Sequence, residues 1–219
     1  MLAPMKTVAE KLAVIVGIDE AGRGALAGPV VAGACVLPSG REYPLLLKDS
    51  KQLSPLEREE MFVWITQYCT YACGMVDALD IDSCRILEAT QTAMQIAVGR
   101  LAQRLTPTYL LVDGRDAFWF DYPHSSIIGG DETEPCISAA SIVAKVVRDR
   151  IMMTYDKMYP HYGFRFHKGY GTAEHCDLIR SRGVCPLHRE TFLHEETIGP
   201  LSRPSGIKKH KSNTTSRYK

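Results

Sequence analysis

Asp19 and Glu20 stand side by side in VGIDEAGRGALAGP, residues 16–29, and a Gly22-Arg23-Gly24 turn follows at once. Adjacent acids on a strand point to opposite faces, so one of them normally meets the core or a partner. If the strand breaks at Asp19, a carboxylate and nearby carbonyls can converge on one hard cation. Mg2+ favours such a shell, made of a few carboxylates, waters and substrate phosphate. Asp113, near the end of TYLLVDG at 108–114, and Asp131, after Gly129-Gly130, occupy junctions of the same kind. Any one of these acids alone reads as turn chemistry or a helix cap. All four together make a metal site the better reading.

The elements that must position these acids follow from apolar patterning. Residues 13–19 and 30–37 are β-branched and apolar, and read as paired strands across the glycine turn. Ser54-Pro55-Leu56-Glu57 is a capping box with proline at the first helical position, opening a helix to about Cys69. Residues 71–78 read as a third strand. Leu87, Met94, Val98, Leu101 and Leu105 mark one face of a long helix starting near 80–82. A short buried strand ends at Asp113, and a loop through Pro123 leads to Asp131. A second long helix runs from Pro135 to about Tyr159, with Val143, Val146, Val147 and Ile151 as its apolar stripe. A shorter helix covers 173–182, stopped by Gly183. This order describes an α/β domain with a mixed sheet covered by helices, and function gathers where loops leave its strand ends.

Other chemistries fit less well. Gly22-Arg23-Gly24-Ala25-Leu26-Ala27 satisfies the dinucleotide fingerprint formally, but Pro29 and a Val-rich run replace the helix it needs, and two acids would face the pyrophosphate. The seven cysteines are odd in number, form no C-x-x-C and lie mostly in apolar stretches, as reduced buried thiols do. A zinc site built from Cys176, Cys185 and His175 or His188 matches no standard ligand spacing. No G-x-S-x-G elbow is present.

The 219 residues carry 26 Lys/Arg and 25 Asp/Glu, a net charge of +1 that hides an asymmetry. Residues 203–219 hold six Lys/Arg and no acid, which leaves 20 basic and 25 acidic side chains, a net of −5, on residues 1–202. We expect one domain over 1–202 and a basic, disordered tail over 203–219, either solubilising or a non-specific phosphate-binding arm. No apolar run is long enough to span a membrane and the N-terminus has no cleavage-site pattern, so a cytoplasmic protein is expected. Ser138, Ser141, Lys145 and Arg148 fall on one helix face opposite the apolar stripe. They read as a solvated face or as phosphate contacts.

GIDEAGRG, KDSKQLS, LLVDG, GGD, SAASIVAKVVRDR and FHKGYGT, in this order across residues 14–197, resemble the bacterial type 2 ribonucleases H, and ribonuclease HII most closely. Only about a dozen residues precede the first strand, whereas the related ribonuclease HIII carries an additional N-terminal domain. The resemblance implies a ribonuclease H-like mixed sheet flanked by helices, with a helical C-terminal region. It implies an endonuclease that cuts the RNA strand of RNA–DNA hybrids and nicks duplex DNA 5′ of an embedded ribonucleotide, leaving 3′-OH and 5′-phosphate ends. Such an enzyme would serve ribonucleotide excision repair and DNA replication.

On the same resemblance, Asp19, Glu20, Asp113 and Asp131 would bind two divalent ions, Mg2+ or Mn2+. Gly22, Arg23 and Gly24 would read the ribose 2′-OH, the group that distinguishes RNA from DNA, and glycine there lets the backbone approach closely. Tyr170 maps to a tyrosine that senses the RNA–DNA junction. Ser141, Lys145, Lys48, Lys51 and Lys168 are further substrate contacts. Asp149, deep in its helix, is expected to pair with an arginine outside the metal site, and His167 to be ordinary loop packing. The substrate is the implied partner; no protein partner is identifiable, and a monomer is expected. Two other readings remain: another metal-dependent nuclease or strand-transfer enzyme on this fold, and a binding module with a vestigial site.

Overall fold

The computed structural model describes residues 13–48 and 53–194. Lys51 and the tail at 203–219 lie outside the described residues, as does the side chain of Lys48 at the end of a 3-10 turn, Leu45–Lys48. Strands β1 (Ile15–Ala21), β2 (Val30–Val36), β3 (Thr70–Val76), β4 (Tyr109–Asp113) and β5 (His124–Ile127) form one sheet in the order β3-β2-β1-β4-β5. β3, β2 and β1 are antiparallel neighbours, whereas β1, β4 and β5 run parallel. The sheet is therefore mixed, as the patterning predicts.

Helices α1 (Pro55–Tyr68), α2 (Ala78–Cys84), α3 (Ile86–Ala102), α4 (Gly130–Thr133), α5 (Pro135–Met158), α6 (Phe164–His167) and α7 (Ala173–Arg182), and a second 3-10 turn, Glu190–Phe192, complete the described elements. The capping box is present: the Glu57 N–H donates to Ser54 Oγ at 3.3 Å and the Ser54 N–H donates to Glu57 Oε2 at 2.8 Å. Strand alternation then sorts the two layers. Val16, Ile18, Val30, Ala32, Ala34 and Val112 face α3 and its Ala89, Ala93, Met94, Ala97, Val98 and Leu101. Cys35 faces the opposite layer, where α1 contributes Phe62 and Ile65, and α5 contributes Ala139, Ala140, Ile142, Val143 and Val146. α5 lies very close to the sheet because β1 and β2 carry glycine there. A Cβ on Gly17 would come within 2.1 Å of the Cys136 backbone, and one on Gly33 within 2.2 Å of the Ala140 carbonyl.

The structure corrects several expectations. The long helix near 80–102 is two helices, broken at Arg85, whose φ of 73° is left-handed. Leu87 is 47% exposed and leaves the core to Ala89, Ala93 and Ala97, whose small side chains let α3 approach the sheet. The loop before Asp131 contains β5, whose polar HSSI carries no apolar strand signal. The polar face of α5 is not a solvated face, because Ser138 and Arg148 are fully buried against the rest of the fold. Among the described residues, no helix is long and apolar enough to cross a membrane, and all seven cysteines are free.

Candidate active site

β1 and β4 are parallel, so both strands end at the same edge of the sheet. Ile18 pairs with Val112, which sets the next residue of each strand, Asp19 and Asp113, beside one another at that edge. α4 follows the Gly129-Gly130 turn and brings in Asp131, whose N–H donates to Asp113 Oδ1 at 3.3 Å. Asp19 and Asp131 are buried, with 6% and 2% of their surface exposed. Glu20 turns toward the glycine turn, where its Oε1 meets Arg23 Nη1 at 3.2 Å. Arg23 Nη2 in turn holds Asp116 Oδ2 at 2.6 Å. Asp116 is a fifth carboxylate at the site, two residues beyond Gly114, and nothing in the sequence singles it out.

The electrostatics of this edge are unfavourable for bare carboxylates. The Asp19 carboxyl is held well above its usual range, first by burial, then by the charges of Glu20 and Asp113. The Ser141 hydroxyl and the Glu20 N–H, 2.7 Å from Asp19 Oδ1, pull the other way. Glu20 is also raised, again mainly by burial and with Asp113 and Asp116 adding to it, while Arg23 opposes the shift. A divalent cation would relieve both groups. Among the described residues no three His, Cys, Asp or Glu side chains already converge as a cage for an ion. That arrangement still suits Mg2+ or Mn2+, since Mg2+ takes one or two carboxylates and completes its shell with water and substrate phosphate. The donor set therefore fits the expected ions.

A cleft of about 410 Å³ adjoins this edge, lined by Glu20, Gly22, Arg23, Gly24, Arg58, Ser141, Lys145 and Tyr170 among others. Each expected ribose-reading and junction residue thus meets one cleft. Arg58, from the first turn of α1, also lines it, although the sequence offers no reason to select it. Gly22 cannot be another residue here: its φ is +89°, and a Cβ would sit 1.8 Å from Arg148 Nε. The Tyr170 ring lies beneath two cations, with Arg148 Cζ 5.0 Å and Lys145 Nζ 5.6 Å from its centroid.

Several expected substrate contacts have partners within the protein. Ser141 serves the Asp19 carboxylate, and Lys145 pairs with Asp149 at 2.7 Å. Asp149 accordingly has a lysine, one helical turn away, where an arginine was expected. Lys168 folds its ammonium back onto the Arg165 carbonyl. Arg148 is buried and donates to Pro29 O at 2.9 Å and Ala27 O at 3.2 Å, so it acts from beneath the cleft.

The loop carrying Tyr170 rests on a buried histidine cluster. Nδ1 of His175 lies 2.9 Å from Tyr170 O, its Nε2 lies 3.2 Å from His188 Nε2, and His188 Nδ1 accepts from the Cys185 N–H at 2.9 Å. One tautomer chain satisfies all three contacts: His188 Nε2–H donates to His175 Nε2, and His175 Nδ1–H donates to Tyr170 O. His167 stacks on His175 at 4.1 Å and is loop packing, as expected. The ring nitrogens of His175 and His188 are thus engaged in hydrogen bonds, which leaves the zinc reading without its histidine ligand.

Burial holds His175 and His188 well below the usual imidazole range, to about 3 and about 4. The unfolded chain takes up these protons near pH 6.5, and the native cluster refuses them until pH 4 or below. Stability therefore falls as pH drops from 6.5 toward 4. Each of the two histidines contributes about 2 kcal/mol of that loss at pH 5, about 4 kcal/mol together. Urea midpoints at pH 7 and pH 5 check this, and His188→Gln should flatten the dependence by roughly one proton. An identical pH dependence in the variant would contradict a buried neutral His188.

The comparisons with known proteins bear on the family and the fold. The family model described as Ribonuclease HII matches residues 16–195. The curated Ribonuclease HII of Geobacter metallireducens is 50% identical over 180 residues, covering 81% of this chain and 83% of that protein. The crystal structure of ribonuclease H2 from Pyrococcus horikoshii OT3 matches with a TM-score of 0.68 at 26% identity, covering 84% of this chain and 96% of that one. Bst-RNase HIII, solved in complex with Mn2+, shares the fold at a TM-score of 0.62 and 17% identity, covering 82% of this chain and 64% of that one.

Proposed function

The chain belongs to the ribonuclease HII family and is a ribonuclease H acting on RNA–DNA hybrids, and on that premise we propose that it also nicks duplex DNA 5′ of an embedded ribonucleotide by two-metal hydrolysis. The observation that carries this reading is the placing of Asp19 and Asp113 one residue beyond the paired Ile18 and Val112 of adjacent parallel strands, next to a turn whose backbone lines the cleft. Asp19, Glu20, Asp113 and Asp131 would hold two divalent ions, Mg2+ or Mn2+. Ions so held supply an activated water and a counter-charge for the departing 3′ oxygen.

The remaining residues bind and orient. Ser141 fixes the Asp19 carboxylate, and Arg23 bridges Glu20 and Asp116. The backbone of Gly22–Gly24 meets the ribose 2′-OH, and Tyr170 packs on the deoxyribose that follows it. Lys145 and Arg58 face the strand's phosphates, which positions the duplex without reading bases. In this reading the enzyme works as a cytoplasmic protein in ribonucleotide excision repair and DNA replication.

End-group chemistry tests the hydrolysis. An RNA–DNA hybrid cut by water attack should yield RNA fragments with a 5′-phosphate and a free 3′-OH. Fragments ending in a 2′,3′-cyclic phosphate would mean that the neighbouring 2′-OH is the nucleophile, and would overturn the mechanism.

A further inference from the structure

Two arginines are fully buried beneath the loop over residues 22–29, which begins with the glycine turn, and their hydrogen bonds go to its carbonyls. Arg189 donates from Nη2 to Gly22 O at 2.8 Å, from Nη1 to Arg23 O at 3.0 Å and from Nε to Gly28 O at 2.9 Å. Arg148 takes the carbonyls of Ala27 and Pro29. Burying a cation is costly, and the Arg189 guanidinium is pushed down to about 9, first by burial and then by the charge of Arg148. The main chain also anchors this segment to the turn. The Arg189 N–H donates to Leu26 O at 2.9 Å and the Gly28 N–H donates to Leu187 O at 2.8 Å.

The geometry has a direct consequence for the turn. In a planar trans peptide the C=O and the next N–H point in opposite directions. Drawing the carbonyls of Gly22 and Arg23 down onto Arg189 therefore turns the N–H groups of Arg23 and Gly24 away from it, and both residues line the cleft. We propose that Arg189, far from the acids in sequence, is the positioning residue that aims these two backbone donors at the ribose. This rests on the reading that Gly22–Gly24 meets the 2′-OH.

The test compares two duplexes that differ only at one nucleotide, which is either a ribonucleotide or its 2′-deoxy-2′-fluoro analogue. The readout is the ratio of kcat/KM values, with Mn2+ affinity and melting temperature measured alongside. A variant that is merely less stable loses both rates together and leaves the ratio unmoved. Arg189→Lys keeps a positive charge but cannot span three carbonyls, and should lower the ratio about tenfold, as for one misplaced hydrogen bond. Arg189→Met should lower it further; if that chain does not fold, Arg189→Lys decides alone.

Gly24→Ala probes the reading independently. An added methyl there meets no atom within 4 Å, so the fold tolerates it, and it should still obstruct the ribose. A lowered ratio in both Arg189→Lys and Gly24→Ala supports the proposal. A lowered ratio in Gly24→Ala alone overturns the role of Arg189 and leaves the turn as the ribose reader. An unmoved ratio in both overturns that reading and the proposal with it. A lowered ratio in Arg189→Lys alone also overturns the proposal, because Arg189 would then act by a route other than the turn.

Discussion

Asp19→Asn should sharply lower turnover and, in the presence of chelator, raise the melting temperature. The two effects have one cause. Asp19 is buried beside Glu20 and Asp113, and its carboxyl is held well above the usual range. An acid whose pKa is raised on folding stabilises the protein only while protonated, and that contribution is lost as pH rises through the folded value. At neutral pH and without cations, burying this carboxyl among other acids therefore works against the fold. Asparagine keeps the shape and removes the charge, and should raise the melting temperature by about 3 °C, the shift expected for roughly 1 kcal/mol in a chain of this size. The same change removes charge from the ion site, and the lost transition-state stabilisation should lower kcat by on the order of 10³-fold. A second signature follows: Mg2+ should raise the melting temperature of the native chain more than that of the variant. Calorimetry with and without Mg2+, together with a hybrid-cleavage assay, reads all of this. A variant that is less stable than the native chain in chelator would contradict the crowded-carboxylate account.

Tyr170→Ala should separate the two substrates. The Tyr170 ring packs against Arg148 and Lys145 and lines the cleft, and its loop is tied to His167 and His175. A single embedded ribonucleotide offers only one ribose to the turn, so the ring's contact with the following deoxyribose carries much of the placement. Losing a ring contact of this kind costs about 1–3 kcal/mol, or roughly 5- to 150-fold in kcat/KM. A long hybrid offers many registers and further ribose contacts, and should lose less. Parallel measurements of kcat/KM on both substrates decide this, and an equal loss on both would remove Tyr170 from junction sensing.

The acids could be found from sequence because their position is a local property. Each of Asp19 and Asp113 closes or nearly closes an apolar strand, and the strand's own alternation fixes where the carboxylate emerges. Capping chemistry marked the start of α1 for the same reason. What escaped the sequence is tertiary. β5 carries no apolar alternation, because its neighbours rather than its side chains define it as a strand. The polar face of α5 looked solvated because 3.6-residue periodicity separates apolar from polar positions, not buried from exposed ones. Arg148 sits on that face and is buried because the loop over residues 22–29 supplies it with carbonyls. Arg189 reaches its acceptors across more than 160 residues of chain, and Asp116 becomes part of the site only through Arg23. Asp149 shows the converse: its partner was one turn away at Lys145, within reach of helix spacing, and was sought instead among the arginines.

The most direct measurement is cleavage of a DNA duplex carrying one ribonucleotide, with Mg2+, Mn2+ or chelator, beside an all-DNA duplex and the Asp113→Asn variant. The account predicts a metal-dependent nick immediately 5′ of the ribonucleotide, absent from the all-DNA duplex, from the chelated reaction and from the variant. Cutting of the all-DNA duplex would contradict ribose reading by Gly22–Gly24, and undiminished cutting by a folded Asp113→Asn protein would contradict the metal site itself.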